Sequence, residues 1–355
     1  MLMNKIYICL VFIMSMIDIF DKSNMLSVLK AFPEQIKEAY KLENAITLKG
    51  LPENIIICGM GGSSISGIIL AEYIKSLGVK IPVFNIEDYS LPNYATKNSL
   101  IIIASYSGNT EEAVSCYKQG LKSGFNVIAI ASGGKILELA TNNRKPIIII
   151  PKGYQPRNAV AFLFFPMLRI LENSGIIPNQ SDKVNDLSAT LNRHMNVYEK
   201  TAQDLAQKIY GKIPIIYSSS DFYCVAYRWK SEFNENSKIL SYCNVFPELN
   251  HNELMGYVNY SKMNIPLHII MLRYDEDNKR IIKRMNITKK LVKELSNDKI
   301  TFSDVLIKGD CWLTRLFTTI CLGDLASYHL ALLYSTDPTP VDVVERFKKE
   351  MGPII

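Results

Sequence analysis

Residues 101–112 read IIIASYSGNTEE, and their order decides the fold. The apolar, largely β-branched run 100–104 has the length and composition of a strand buried on both faces. It stops at Ser105, Ser107, Gly108, Asn109 and Thr110, after which an amphipathic run begins. The sequence is therefore strand, hydroxyl-rich turn, helix start. The first backbone N–H groups of a helix have no partner within it, so three hydroxyls and a glycine placed there form an anion site suited to a phosphate. Ser105, Ser107 and Thr110 are the candidate phosphate ligands. The plainer alternative is that Thr110 only caps the helix and the two serines are solvated turn residues.

The same order recurs on either side. A strand at 54–58 runs into GMGGSSISG, residues 59–67, and an apolar helix; further strands are predicted at 82–87, 126–130 and 146–150, the fourth strand, 126–130, ending at Ser132-Gly133-Gly134. Helical runs fill the gaps, which predicts a parallel sheet covered on both faces. Three Gly- and Ser-rich turns then lie at strand C-termini, the edge where open parallel sheets hold ligands, and Gly61, Gly62 and Ser63 join the candidate phosphate site. A helical segment at 25–44 precedes this half and a helix at 158–173 follows it. The polar stretch 178–190 reads as a linker. Beyond it, strands at 214–218, 239–243, 266–272 and 302–307 alternate with helices at 221–236 and 277–295, with a short helix near Asn250, and helices at 312–334 and 341–350 finish the chain. The expectation is an α/β protein of two units, 16–177 and 191–355, each a parallel sheet flanked by helices in a three-layer, flavodoxin-like arrangement.

Composition narrows the function. The 355 residues, 48% of them hydrophobic, suffice for two such cores. The formal net charge is +6, but Lys and Arg are interspersed with acids rather than gathered in an arm, so a nucleic-acid partner is not expected. Seven cysteines, Cys9, Cys58, Cys116, Cys224, Cys243, Cys311 and Cys321, form no CxxC pair and read as reduced core residues of a cytoplasmic protein. The four histidines share no metal-ligand spacing, and neither a metal nor any other cofactor is expected. The first 17 residues carry one lysine and an apolar run too short for a membrane span, with no small-residue cleavage site after it. Residues 1–15 are expected to be an upstream extension before a start at Met16, and no membrane association is expected. A dinucleotide reading of the glycine turn fails on Ser64, which replaces the third glycine of GxGxxG. Hydroxyls at several strand ends suit a phosphosugar better than a pyrophosphate, which is held mainly by backbone N–H.

Five motifs, GMGGSSISG, SYSGNTEE (105–112), YQPR (154–157), FNENSK (233–238) and FPELNHNE (246–253), resemble the bifunctional phosphoglucose/phosphomannose isomerase family, built from two sugar-isomerase (SIS) domains. The similarity runs in order from about residue 18 to the C-terminus. It implies a metal-independent aldose-ketose isomerase that interconverts glucose 6-phosphate and mannose 6-phosphate with fructose 6-phosphate through an enediolate. It also implies a homodimer with sites at the subunit interface.

That chemistry needs a phosphate anchor, an acid to open the ring, a base to carry a proton between C2 and C1, and a cation for the enediolate. Glu235 is the candidate base. An arbitrary helical Glu is usually solvated, but in the family a Glu precedes the ring-opening His by sixteen residues, as Glu235 precedes His251, and Glu232 fails that spacing. A partly desolvated carboxylate there would suit proton abstraction near neutrality. His251 is the implied ring-opening group, offered to the partner subunit. Lys348 resembles a lysine that assists it, with Lys349 beside it as the open alternative; a surface charge near a helix C-terminus is the ordinary reading of both. Arg157 is the enediolate cation, its permanently charged fork fixed after a proline. Thr339, or else Thr336, matches a threonine tied to acceptance of both C2 epimers, although a turn residue between two prolines reads the same way. Two other functions share parts of this pattern. A non-catalytic SIS-type phosphosugar regulator keeps the SYSGNTEE turn without a base, and Glu235 with His251 and Arg157 argues against it; an aminosugar amidotransferase or deaminase finds no support in an N-terminal nucleophilic cysteine.

Overall fold

Strands Ile55–Cys58 (β1), Leu100–Ala104 (β3) and Asn126–Ala131 (β4) are nearly continuous runs of buried aliphatic residues, as a sheet covered on both faces requires. The computed structural model describes residues 16–42, 45–263 and 265–352, so the expected extension 1–15, with Cys9, lies outside the described residues. With Val83–Ile86 (β2) and Ile147–Ile149 (β5) these strands form a sheet in the order β2-β1-β3-β4-β5, parallel throughout, with Ile55 level with Val83 on one side and Leu100 on the other. Ile213–Ser219 (β6), Tyr242–Phe246 (β7), Leu267–Arg273 (β8) and Thr301–Leu306 (β9) form a second parallel sheet in the order β7-β6-β8-β9. Both orders place the first strand inside, so each sheet has a switch point, β1/β3 and β6/β8, where its strand C-termini open a crevice.

Alternate residues of each strand face opposite layers. Ile57, Ile102 and Ile130 of the first sheet and Ile216, Ile270 and Leu272 of the second belong to one continuous core. Filling it are helices Gly62–Ser76, Val160–Asn173, Ser181–Ile209, Tyr223–Glu235 and Trp312–Leu333. Ile56, Ile101 and Ile103 pack outward under helices Glu111–Lys122 and Gly134–Asn142. Ile215, Ile269 and Met271 pack outward against Met285 and Val292 of helix Lys279–Leu295. Helix Trp312–Leu333 is long and apolar enough to cross a membrane by composition alone, but 94% of its most apolar window is buried inside the fold. The six described cysteines are unpaired, four of them buried.

Three sequence readings need correction. Residues 178–190 are not a linker: from Ser181 they begin a 29-residue helix in which Val184, Leu187, Leu191, Met195, Ala202, Leu205 and Ile209 are buried at intervals of three, four or seven, one face of a helix. The polar majority on its other face hid that stripe. The second strand of the second sheet begins at Tyr242 rather than 239, because Lys238 takes a left-handed backbone (φ 57°) that delays the extended run, and β7 is an edge strand with its buried end at Phe246. The segment expected as one helix at 25–44 is two, Met25–Lys30 and Phe32–Lys41, with Pro33 in the first turn of the second.

The four histidines have different surroundings, and His268 on β8 is 1% exposed, between the Thr301 and Ser303 hydroxyls of β9 at 2.7 and 2.9 Å. Burial holds its pKa down to about 4, with Lys212 and Lys208 acting the same way. A folded pKa below the unfolded value means that the unfolded chain takes the proton first. The contribution to stability is complete above about pH 6.5 and is lost as pH falls toward 4. Unfolding free energy should therefore drop by on the order of 3 kcal/mol between about pH 7 and about pH 4 on account of this residue. Urea titrations of His268→Gln should show a correspondingly flatter acid limb than wild type.

Candidate active site

The phosphate-site candidates meet at the C-terminal ends of β1 and β3. Ser63 Oγ accepts from the Tyr106 backbone N–H at 3.3 Å, which ties the glycine turn to the SYSGNT loop. Within that loop Ser105 Oγ lies 2.9 Å from Thr110 Oγ1 and accepts from Gly108 N–H at 3.1 Å, while Ser107 Oγ accepts from Asn109 N–H at 3.2 Å and faces solvent. Thr110 occupies the N-cap position of helix Glu111–Lys122, yet its hydroxyl makes no capping bond. The plain capping reading is thus excluded. Gly108 has φ +70° and a Cβ there would stand 1.8 Å from the Gly133 carbonyl oxygen, so the third Gly-Ser turn seats directly on this loop.

Gly61 turns the chain with φ +53°, and Gly62 opens the helix beside it. A Cβ on Gly62 would lie 2.8 Å from the Pro156 carbonyl oxygen and 3.1 Å from Arg157 Cα. The glycine turn is therefore in contact with the backbone that carries Arg157.

Arg157 is 2% exposed, and its hydrogen bonds define the site. Nε donates to Asn236 Oδ1 at 2.7 Å; Nη2 donates to the carbonyls of Pro338 at 2.9 Å and Thr339 at 2.8 Å. Nη1 is held more loosely, 3.5 Å from both Gln155 Oε1 and Glu235 Oε2. The guanidinium thus keeps one weakly engaged nitrogen, and that nitrogen faces the candidate base. Glu235 ends helix Tyr223–Glu235, where Lys238 folds back to donate to the Glu235 and Pro338 carbonyls at 2.5 and 3.0 Å. Desolvation, reinforced by the Arg157 charge, lowers the Lys238 pKa to about 8. The Glu235 side chain is 37% exposed and faces a guanidinium rather than the apolar surroundings expected for it. Thr339 is 8% exposed, and its Oγ1 is buried with no hydrogen-bond partner among the described residues.

The carboxylate that is buried is Glu232. It is 1% exposed, accepts from Asn236 Nδ2 at 2.9 Å and pairs with Arg228 at 3.1 Å, while Arg228 chelates Asp324 through Nε at 3.1 Å and Nη2 at 2.8 Å. Burial raises the Glu232 pKa to about 8, with the Asp324 and Glu235 charges adding to it and Arg228 opposing. Sequence reading passed over this group. Its traces were the i,i+4 pair Arg228/Glu232 and an acid, Asp324, inside an otherwise apolar helix.

His251 and Lys348 are not joined to this cluster. The His251 side chain is exposed on a turn whose other polar groups are occupied: Asn250 bonds Thr288 and Arg284, Asn252 bonds Glu248, and Glu253 bonds Asn244, at 2.6 Å, and Tyr217. Among the described residues His251 has no side-chain partner. Lys348 lies on helix Asp342–Met351, which buries no residue, and its Nζ pairs with Glu345 at 2.7 Å. A cavity of about 410 Å³ between Leu48, Leu51, Asn98 and Lys145 lies at the strand N-termini, the opposite edge from the hydroxyl turns.

Two parallel sheets flanked by helices place the chain in the SIS class of phosphosugar proteins. Residues 198–351 match the model of the bacterial phospho-glucose isomerase C-terminal SIS domain. The C-terminal domain of glucosamine-fructose-6-phosphate aminotransferase from Francisella tularensis has the same fold (TM-score 0.68, 15% identity, 88% of this chain and 97% of that one). The chain is 38% identical over 333 residues to a bifunctional phosphoglucose/phosphomannose isomerase of Caldicellulosiruptor bescii, covering 91% of this chain and 97% of that protein. It is 34% identical to the Aquifex aeolicus protein of the same description, over 84% and 90%. The chain belongs to the bifunctional phosphoglucose/phosphomannose isomerase family.

Because Gly62 has room for no Cβ, Gly62→Ala must push residues 156–157 away from the helix start. Chemical denaturation should show the variant less stable by about 1–3 kcal/mol, the usual cost of overpacking.

Proposed function

We propose that this protein interconverts glucose 6-phosphate and mannose 6-phosphate with fructose 6-phosphate by moving one proton between C2 and C1 of the open-chain sugar. The observation that carries the reading is the contact of Arg157 Nη1 with the Glu235 carboxylate at the strand edge that also bears the hydroxyl turns. Ser63, Ser105, Ser107 and Thr110, with the Gly61-Gly62 turn, bind the phosphate and set the distance to the reacting carbons. From the aldose, Glu235 removes the C2 proton and returns it to C1 while the O2 proton passes to O1; from the ketose the same steps run in reverse. Arg157 stabilises the negative oxygen of the enediolate, which a directed cation can do without a metal ion. Thr339 Oγ1 offers a hydrogen bond to the intermediate after rotation about C2–C3, the rotation that lets both epimers share one base.

Ring opening is assigned to His251 of a second copy of the chain, with Lys348 assisting, in a cytoplasmic homodimer. Support for the second copy comes from the exposed, braced His251 turn beside Met255 and Val258, 71% and 47% exposed, and from helix Asp342–Met351, whose Val343 and Phe347 are 83% and 62% exposed.

Glu235→Gln should lower kcat on all three sugar phosphates by at least about 100-fold, the weak end of general-base effects, with KM nearly unchanged. Coupled assays that found more than a hundredth of wild-type kcat, about 10⁻², would remove Glu235 as the base.

Shared sites have a separate test. Inactive Glu235→Gln and inactive His251→Ala protomers, mixed and allowed to exchange, should regain part of the wild-type activity, since one of the two sites in each hybrid receives both native residues. No recovery after exchange is verified by native mass spectrometry would argue against a partner-supplied His251.

A further inference from the structure

Asn236 sits between two groups of opposite capacity. Its Oδ1 accepts from Arg157 Nε at 2.7 Å, and its Nδ2 donates to Glu232 Oε2 and to Ser327 Oγ, both at 2.9 Å. Arginine can only donate, so the amide must turn Oδ1 to Arg157 and Nδ2 toward Glu232 and Ser327. Asn236 is fully buried, and Glu232 is itself anchored to Arg228, which Asp324 holds with two parallel bonds. A rigid buried ion cluster is thus connected to the Arg157 guanidinium through a single side-chain amide. The two carbonyls on Nη2 come from the 338–339 turn and leave rotation about the Nε end to be set by Asn236.

We propose that Asn236, oriented by Glu232, is a positioning residue that sets the plane of the Arg157 guanidinium so that Nη1 faces Glu235 and the enediolate formed between them. This rests on the catalytic reading of Arg157 and Glu235 given above. Neither Asn236 nor Glu232 touches the substrate; both act through Arg157. Without Asn236, Nε loses its buried acceptor, and the fork turns toward whatever acceptor remains. A misplacement of the stabilising nitrogen of the order of 1 Å costs about 10² in rate, and the cost falls on kcat because the phosphate anchor is untouched.

The test is a double-mutant cycle on steady-state kinetics with glucose 6-phosphate and mannose 6-phosphate. Asn236→Ala should lower kcat by about 10- to 100-fold with KM changed by less than about threefold. Arg157→Ala should lower it further, and Arg157→Ala/Asn236→Ala should have the kcat of Arg157→Ala alone, because Asn236 has nothing left to orient. If Asn236→Ala does not yield folded protein, Asn236→Leu, which keeps the volume but offers Nε no acceptor, is read in the same cycle. Wild-type kcat in the folded Asn236 variant, or penalties that multiply in the double variant, would overturn the positioning role. Wild-type kcat in Arg157→Ala would instead overturn the catalytic reading of the site, so the two failures are distinguishable.

Discussion

A guanidinium that is 2% exposed must find acceptors for its donors, because an unpaired buried charge costs several kcal/mol. Arg157 meets this demand with an amide from the end of helix Tyr223–Glu235 and two carbonyls from the turn after helix Trp312–Leu333. Both partners belong to the second half of the chain, whereas Arg157 follows the last strand of the first. One buried side chain, Arg157, therefore ties the two halves of the fold to one relative placement of their sheets. The shared core of helices between the sheets makes that placement rigid.

Around this constraint the local devices are ordinary. Parallel strands end in glycine turns because only a chain without Cβ can bring Gly62 against Pro156 and Gly108 against Gly133. Packing those turns together brings four hydroxyls to one edge. Thr110 turns its hydroxyl to Ser105 instead of capping its own helix, so the helix start keeps backbone donors that a phosphate oxygen can use. Lys238 closes the other side, its ammonium drawn to the carbonyls that end the helix of Glu235.

Two carboxylates three residues apart receive opposite environments. Glu232 is buried beside Arg228; Glu235, most of a helical turn later, is 37% exposed and faces Arg157. Glu235 meets Arg157 directly, and Glu232 is linked to it through Asn236. A single helix end thus holds one acid fully buried and leaves the other partly exposed beside Arg157.

The fold was legible because buried parallel strands leave unmistakable runs: IIIC, LIIIA and NVIAIA each carry their burial in their composition, and the turns after them carry Gly and Ser. Spacing between motifs also carried over, so that the candidate base and the exposed histidine could be named from sequence resemblance. What composition hid was helix Ser181–Ile209, whose single apolar stripe is outvoted by its polar face, and the start of the edge strand β7, which packs on one side only. The i,i+4 pair with Arg228 is the one local mark that sets Glu232 apart from Glu235, and nothing local reveals that Asn236, Pro338 and Thr339 surround Arg157. Those contacts join residues 79, 181 and 182 positions apart, and only the packing of the two sheets against shared helices brings them within hydrogen-bonding distance. Residue types and periodicity determined the strands and turns; burial, a property of the assembled whole, decided which charges are held inside and which stay exposed.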